Sequence, residues 1–112
     1  MYVQALVTLT GSAQKLSTAT GTFAPTGVSA AALGNLACRE IHMQAESGNS
    51  HVVYVGDATV SATLYAFVIP TPVSSVPAAP MIMGPYGAQS IKLDDFYIIG
   101  TAAEKVHLGL VI

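Results

Sequence analysis

The chain has 112 residues, a length that suits one folded domain and argues against two independent cores. Hydrophobic residues make up 52% and charged residues only 9%, so the composition excludes intrinsic disorder. The net charge is −2, and four Lys and Arg residues neutralise too few phosphates for direct binding of nucleic acid.

The shortage of charge predicts a partner. A folded monomer of 11.5 kDa exposes about 5,800 Å², and soluble monomers carry charged residues over roughly a quarter to a third of such a surface. This chain would therefore present large neutral patches, which usually mark contact surfaces. We expect a homo-oligomer, with a dimer favoured over a trimer because two-fold closure is the commonest symmetry.

No segment predicts export or insertion into a membrane. Residues 1–7 lack a basic region and their apolar run is broken by Gln4, so no signal peptide is expected. The long uncharged stretches 16–38 and 58–91 are interrupted by Gly, Pro, Ser and Thr, which excludes a membrane helix. Cys38 is the only cysteine, so no internal disulfide is expected, and we interpret it as a small buried hydrophobe.

The dominant pattern alternates apolar with other residues, which is typical of β-strands with one buried face. The alternation is clearest over Val3–Leu9, Ile41–Ala45 and Val106–Ile112. Turn-forming pairs such as Gly48-Asn49 and Gly56-Asp57 separate the alternating segments. Strands are predicted near 2–10, 37–46, 51–56, 59–69, 89–93, 96–100 and 105–112.

These short strands and frequent turns predict an all-β protein, an antiparallel β-sandwich or small barrel that forms a single domain over 1–112. No long helix is expected, and Ser29–Leu33, which Gly34 ends, is predicted to be a loop or one short helical turn. Two loop excursions are expected, near 11–36 and 70–88.

The second excursion is rich in proline, and five of the six prolines lie between residues 70 and 85. Proline restricts the backbone and removes a hydrogen-bond donor, so this segment cannot form a central strand. It carries no charge, and its apolar side chains either fold back on their own domain or contact a neighbouring subunit. The candidate interface residues are Pro72, Val73, Val76, Pro77, Pro80, Met81, Ile82, Met83 and Tyr86.

No catalytic constellation is found, and neither an enzyme activity nor a cofactor is expected. The three histidines lack the spacing of a zinc site, although His42 and His107 would approach each other if their strands were neighbours. A metal-dependent enzyme on a cupin-like barrel is therefore disfavoured. Asp94 and Asp95 are adjacent and point to opposite faces of an extended chain, so we interpret this pair as a turn.

Four segments carry a family resemblance: Cys38–Ser50, Val53–Ser61, Leu93–Thr101 and Glu104–Leu108. In order, they contain a strand that ends in a polar Gly-Asn turn, a VYVGD…VS hairpin, an aromatic-rich DFYIIGT motif and a final strand. This pattern resembles small β-rich virion proteins of tailed bacteriophages, and most of all their capsid decoration (cement) proteins.

The resemblance implies a jelly-roll-like sandwich on the capsid exterior, where it would clamp neighbouring subunits of the major capsid protein after synthesis in the host cytoplasm. Many relatives have a Pro-Gly turn after the second hairpin strand, where this chain has Pro70–Pro85. That difference makes the insertion a candidate for the specific contact. The alternative is a receptor- or glycan-binding module of a phage head or tail fibre. Such a module requires an exposed aromatic and acidic cluster at one loop end, which the sequence does not reveal.

Overall fold

The computed structural model describes residues 2–24, 37–73, 76–87 and 91–111. Strands account for 47% of this structure and helices for 7%, so the prediction of a mostly β protein is confirmed. The strands pair in antiparallel sheets within a compact globule. In chain order, the elements are β1 (Tyr2–Thr8), β2 (Gln14–Lys15), α1 (Leu16–Ala19), β3 (Thr20–Ala24), β4 (Ala37–Cys38), β5 (Glu40–Ala45), β6 (Val53–Gly56), β7 (Phe67–Ile69), β8 (Met81–Met83), β9 (Ile91–Lys92), a 3-10 helix (Leu93–Asp95), β10 (Tyr97–Ile99) and β11 (Lys105–Val111).

The larger sheet has five strands in the order β3-β1-β11-β5-β8. β11 lies at its centre and pairs with β1 on one side and β5 on the other along most of its length. Because successive side chains of a strand point to opposite faces, every second residue of these three strands is buried. In β11 the buried apolar residues are Val106, Leu108 and Leu110.

The smaller sheet has four strands in the order β2-β10-β6-β7, and β4 and β9 form a separate pair. Buried residues of the five-stranded and the four-stranded sheet belong to one hydrophobic core. The smaller sheet contributes Val53 and Val55 from β6, Ile69 from β7 and Ile98 from β10. The core therefore fills the space that the alternating apolar residues of the two sheets share.

Five of the predicted strands are present: those near 2–10, 37–46, 51–56, 96–100 and 105–112. Most of them are shorter at their ends than predicted, and the second is interrupted by a bend between β4 and β5. The agreement follows from burial, since in these strands the apolar residues that alternate in the sequence do face the core.

The strand predicted at 59–69 extends only over Phe67–Ile69. The preceding residues 57–64 form turns instead, closed by hydrogen bonds to the backbone carbonyls of Asp57 and Ser61. The prediction was wrong because alternation was read as a strand where Asp and Ser favour a turn.

The strand predicted at 89–93 is also shorter, since only Ile91–Lys92 is extended and the 3-10 helix follows at once. Of its predicted residues, 89 and 90 lie outside the described part of the chain. The helical turn predicted at Ser29–Leu33 lies outside it as well, whereas the short helix α1 was not predicted.

Three strands lie where the sequence predicted loop excursions: β2 and β3 within 11–36, and β8 within 70–88. Both excursions therefore contain more regular structure than expected. β3 and β8 form the two edges of the five-stranded sheet. An edge strand has one partner, so it tolerates flanking prolines and glycines that a central strand does not. The prediction that no central strand lies in 70–88 is confirmed for the described residues of that segment.

The turn between β5 and β6 is tied to the start of β11 by two side chains. Asn49 is buried; its Nδ2 donates to the carbonyl of Lys105 (2.7 Å), and its Oδ1 accepts from the N–H of Lys105 (3.0 Å). The carboxylate of Glu104 accepts hydrogen bonds from the backbone N–H groups of Ser50 and His51. The predicted turn is therefore held by bonds to a distant part of the sequence.

These bonds shift the pKa of the Glu104 carboxyl. Desolvation alone would raise that pKa, but the N–H groups of Ser50 and His51, together with the His51 ring, stabilise the charged form and lower the pKa below its ordinary value of 4.5. The unfolded chain therefore takes up a proton at this position at a higher pH than the folded protein does. The resulting stabilisation is fully present above the unfolded pKa and is lost as the pH falls through the folded pKa.

We expect Glu104→Gln to lower the free energy of unfolding at neutral pH, because an amide accepts these hydrogen bonds more weakly than a carboxylate. The difference between wild type and variant should narrow as the pH falls below 4.5. Urea denaturation at a series of pH values from neutral to strongly acid measures it, with Glu46→Gln as the control at a more exposed carboxylate. A Glu104→Gln difference that stays constant over the whole range would contradict this account.

Candidate functional site

The proline-rich segment is attached to the domain through its second half. Ala78 is buried in the core, and its carbonyl accepts a hydrogen bond from Gln44 Nε2 (2.6 Å). The chain then forms β8 along the free edge of β5, and Met81 and Met83 pack against the core. This half of the segment therefore folds back on its own domain.

Four large hydrophobic side chains of the same segment remain exposed. The exposed fractions are 70% for Val73, 62% for Val76, 49% for Ile82 and 50% for Tyr86. Val73 and Val76 are joined by two reciprocal backbone hydrogen bonds of 3.3 and 2.7 Å. We call these four side chains the apolar loop surface.

The nine candidate interface residues thus fall into two groups. Members of the first group are open to solvent and available to a partner, whereas members of the second are partly covered by the protein itself. The exposed group is Val73, Val76, Pro77, Pro80, Ile82 and Tyr86, and the partly buried group is Pro72, Met81 and Met83.

Gly84 fixes the point at which the segment leaves β8. Its φ of +98° lies in the left-handed region that favours glycine, and a Cβ at this position would overlap the carbonyl oxygen of Arg39 and lie 3.1 Å from Glu40 Cα. The N–H of Tyr86 donates to that same carbonyl (3.0 Å). The missing side chain of Gly84 therefore allows the contact that positions Tyr86 beside β5.

The three histidines pair with glutamates and do not form a cluster. β5 and β11 are neighbours, but His42 lies opposite Gly109 and His107 lies opposite Gln44, so the two histidines are not directly opposite each other. The described ranges of the chain contain no group of three or more His, Cys, Asp or Glu side chains suited to a metal ion. The pairs are His42 with Glu40, His51 with Glu104 (3.2 Å) and His107 with Glu46 (3.5 Å).

Two other chemically suggestive residues have structural roles. Cys38 is fully buried, and burial raises the pKa of its thiol above the ordinary value of 9.0, so it behaves as the core residue that was predicted. Asp94 lies in the 3-10 helix and accepts a hydrogen bond from the hydroxyl of the buried Ser17 in α1. This bond joins the two short helices.

One surface cluster, in the segment between β6 and β7, was not predicted from the sequence. The ring of Tyr65 packs against Tyr54 with centroids 4.9 Å apart and planes inclined at 43°. Oδ1 of Asp57 accepts from both the N–H (2.8 Å) and the hydroxyl (2.6 Å) of Thr59, and these bonds hold the pKa of Asp57 below its usual range. An open depression of about 210 Å³ is lined by Gly56, Asp57, Thr59, Leu64, Tyr65 and Ala66.

The turn in this cluster could have been predicted from the sequence. Asp57 followed two residues later by Thr59 favours a turn in which the Asp side chain binds the backbone ahead of it. That turn ends the β6 strand and leaves the following residues outside the sheet. The proximity of Tyr54 and Tyr65 then follows from the fold and not from their spacing.

Comparison with known proteins adds no relative. No protein-family model matches the chain, and neither does any curated protein or solved structure compared with it. The resemblance to phage virion proteins therefore stays a prediction. Within the described ranges, no helix is long and apolar enough to cross a membrane.

We expect Gly84→Ala to lower the free energy of unfolding by about 1–3 kcal/mol, the range typical of a strained backbone. The added Cβ meets backbone atoms, which cannot turn away as a flexible side chain can. Gly87→Ala is the matched control in the same segment, where a Cβ meets no atom within 4 Å, and it should change stability by no more than about 0.5 kcal/mol. Urea denaturation compares the two, and equal effects would contradict the role of Gly84.

Proposed function

We propose that this protein is a structural virion protein, a capsid decoration protein that binds the outer surface of a tailed phage head and clamps neighbouring subunits of the major capsid protein. The observation that carries the proposal is the apolar loop surface, four exposed and uncharged side chains on a segment attached to the core at Ala78 and to β5 through β8. A clamp needs a shaped contact surface and no reactive group, which suits this arrangement.

The uncharged character of the loop surface favours contact with protein. Docking of this surface desolvates no charged group. Desolvation of a charge is costly when the charge is left unpaired. Each Å² of apolar surface removed from water stabilises the complex by about 25 cal/mol before association costs. The anchored backbone and the prolines restrict the free segment, so less conformational entropy is lost on binding.

We further propose that the two main sheets form a jelly-roll-like β-sandwich. Their buried residues belong to one core, which supports two layers packed face to face. A decoration protein on such a frame binds at many equivalent positions of a capsid lattice. Where several contacts of one oligomer engage together, avidity makes a modest single contact sufficient.

The same chain is proposed to self-associate, as a dimer in preference to a trimer. Its four basic and six acidic residues are few for a surface of 5758 Å². A two-fold contact uses the same patch on both copies, so one apolar surface such as Val73 and Val76 suffices to form it.

Self-association tests the role of the loop surface. The triple variant Val73→Ser, Val76→Ser, Tyr86→Ala removes exposed apolar area but keeps Ala78, β8 and Gly84, so the domain should still fold. We expect the wild type to form an oligomer at micromolar concentration and the variant to associate at least about tenfold more weakly, a loss of about 1.4 kcal/mol. Analytical ultracentrifugation measures this, with circular dichroism as the check on folding. A monomeric wild type, or a folded variant that associates unchanged, would rule out self-association through this surface.

Location in the particle tests the virion role itself. Phage particles from the organism that encodes the chain should contain it in many copies, comparable with the copies of the capsid protein, and an electron-microscopy map should place it on the outside of the head. A few copies at a fibre would favour the receptor-binding alternative, and absence from purified particles would overturn the proposal.

A further inference from the structure

The segment between β6 and β7 presents a supported aromatic ring to solvent. Tyr65 is 47% exposed and packs against Tyr54, which itself belongs to β6 and is therefore held by the sheet. A ring that is already held in place loses little side-chain entropy when a ligand covers it. Its neighbour Leu64 is 60% exposed and adds apolar surface at the same position.

Two oxygen-bearing side chains, Asp57 and Thr59, line the same depression as this ring. Both hydrogen bonds that Asp57 accepts from Thr59 go to Oδ1, and its Oδ2 has no hydrogen-bond partner in the described ranges. The Thr59 hydroxyl uses its hydrogen in that bond, so its oxygen remains free to accept another.

We infer that this cluster is a binding site for one neutral sugar ring, the pyranose of a glycan. One face of a pyranose consists largely of C–H groups and packs on an exposed aromatic ring such as Tyr65. Its hydroxyls donate to the Asp57 carboxylate, and a hydrogen bond to a charged oxygen is about twice as strong as one between neutral groups.

The size of the site limits the ligand to about one ring. The open depression of about 210 Å³ is smaller than the roughly 300–1,000 Å³ of pockets that enclose a drug-sized ligand. No Lys or Arg lines it, so a phosphate or another anion would find only the like charge of Asp57. The remainder of a glycan would lie outside the depression.

A positively charged ammonium group is the competing ligand, because it is attracted both to aromatic faces and to carboxylates. The described surface favours the sugar for two reasons. The site has one carboxylate, which already accepts two hydrogen bonds from Thr59, and the other polar side chains that line it, Thr59 and Tyr65, carry hydroxyls. Sites that bind an ammonium group usually surround the cation with several aromatic rings, whereas this lining has one, Tyr65.

This inference does not rest on the capsid role proposed above. The alternative that the sequence left open is a receptor- or glycan-binding module, which requires an exposed aromatic and acidic cluster. Tyr65 and Asp57 provide such a cluster. The site uses a different segment from the apolar loop surface, so each can be removed without touching the other.

Nuclear magnetic resonance titration of the full chain tests the site. The probes are the methyl glycosides of glucose, galactose, mannose and N-acetylglucosamine, with choline and inorganic phosphate for comparison. At least one glycoside should shift the amide signals of Asp57, Thr59 and Tyr65, and phosphate should not. Tyr65→Ala and Asp57→Asn should each weaken that binding at least tenfold. Tyr65→Phe should retain most of it, because the ring remains.

The control is Tyr86→Ala, which removes a tyrosine of similar exposure (50%) from the other segment and should leave glycoside binding unchanged. Asp57→Asn keeps an oxygen that can accept from Thr59, so the turn should survive and a loss of binding reports on the charge. The inference is overturned if no glycoside shifts these signals, if choline alone does, or if Tyr86→Ala weakens binding as much as Tyr65→Ala. None of these outcomes bears on self-association.

Discussion

The pairing of β11 with β1 and β5 is the interaction on which the remaining structure depends. β11 lies far along the sequence from both partners, so the five-stranded sheet is complete only when residues 105–111 lie between residues 2–8 and 40–45. Glu104 and Lys105 at the start of this strand also hold the turn that contains Asn49. A local turn is therefore ordered by a contact between distant parts of the sequence.

The same sheet determines how much of the proline-rich segment is exposed. β5 offers its free edge to β8, and the buried Ala78 and the close approach at Gly84 attach the segment on either side of that strand. Val73 and Val76 lie before the first attachment, so their apolar surface receives no cover from β8. Exposed apolar side chains on an anchored segment are a feature of contact surfaces.

The sequence was sufficient to predict the strands that bury alternate residues, such as Ile41–Ala45 and Lys105–Val111, because burial on one face requires that alternation. It did not predict β8, because an edge strand beside prolines has too few residues to show a period. The strand predicted at 59–69 was too long, because the hydrogen bonds between Asp57 and Thr59 favour a turn at the start of this segment. The Tyr65 cluster needed the three-dimensional proximity of Tyr54, which no spacing rule provides.

Two half-exposed tyrosines illustrate why exposure alone does not define a function. Tyr86 lies in an uncharged segment among Val, Ile and Pro residues, where its ring can only add to an apolar contact. Tyr65 lines a depression together with the Asp57 carboxylate and the Thr59 hydroxyl, whose oxygens can accept further hydrogen bonds from a ligand. Protein contact and sugar binding place different demands on the neighbours of an aromatic ring. The proposed protein contact and the inferred sugar site lie in separate segments, so occupation of one would leave the other open.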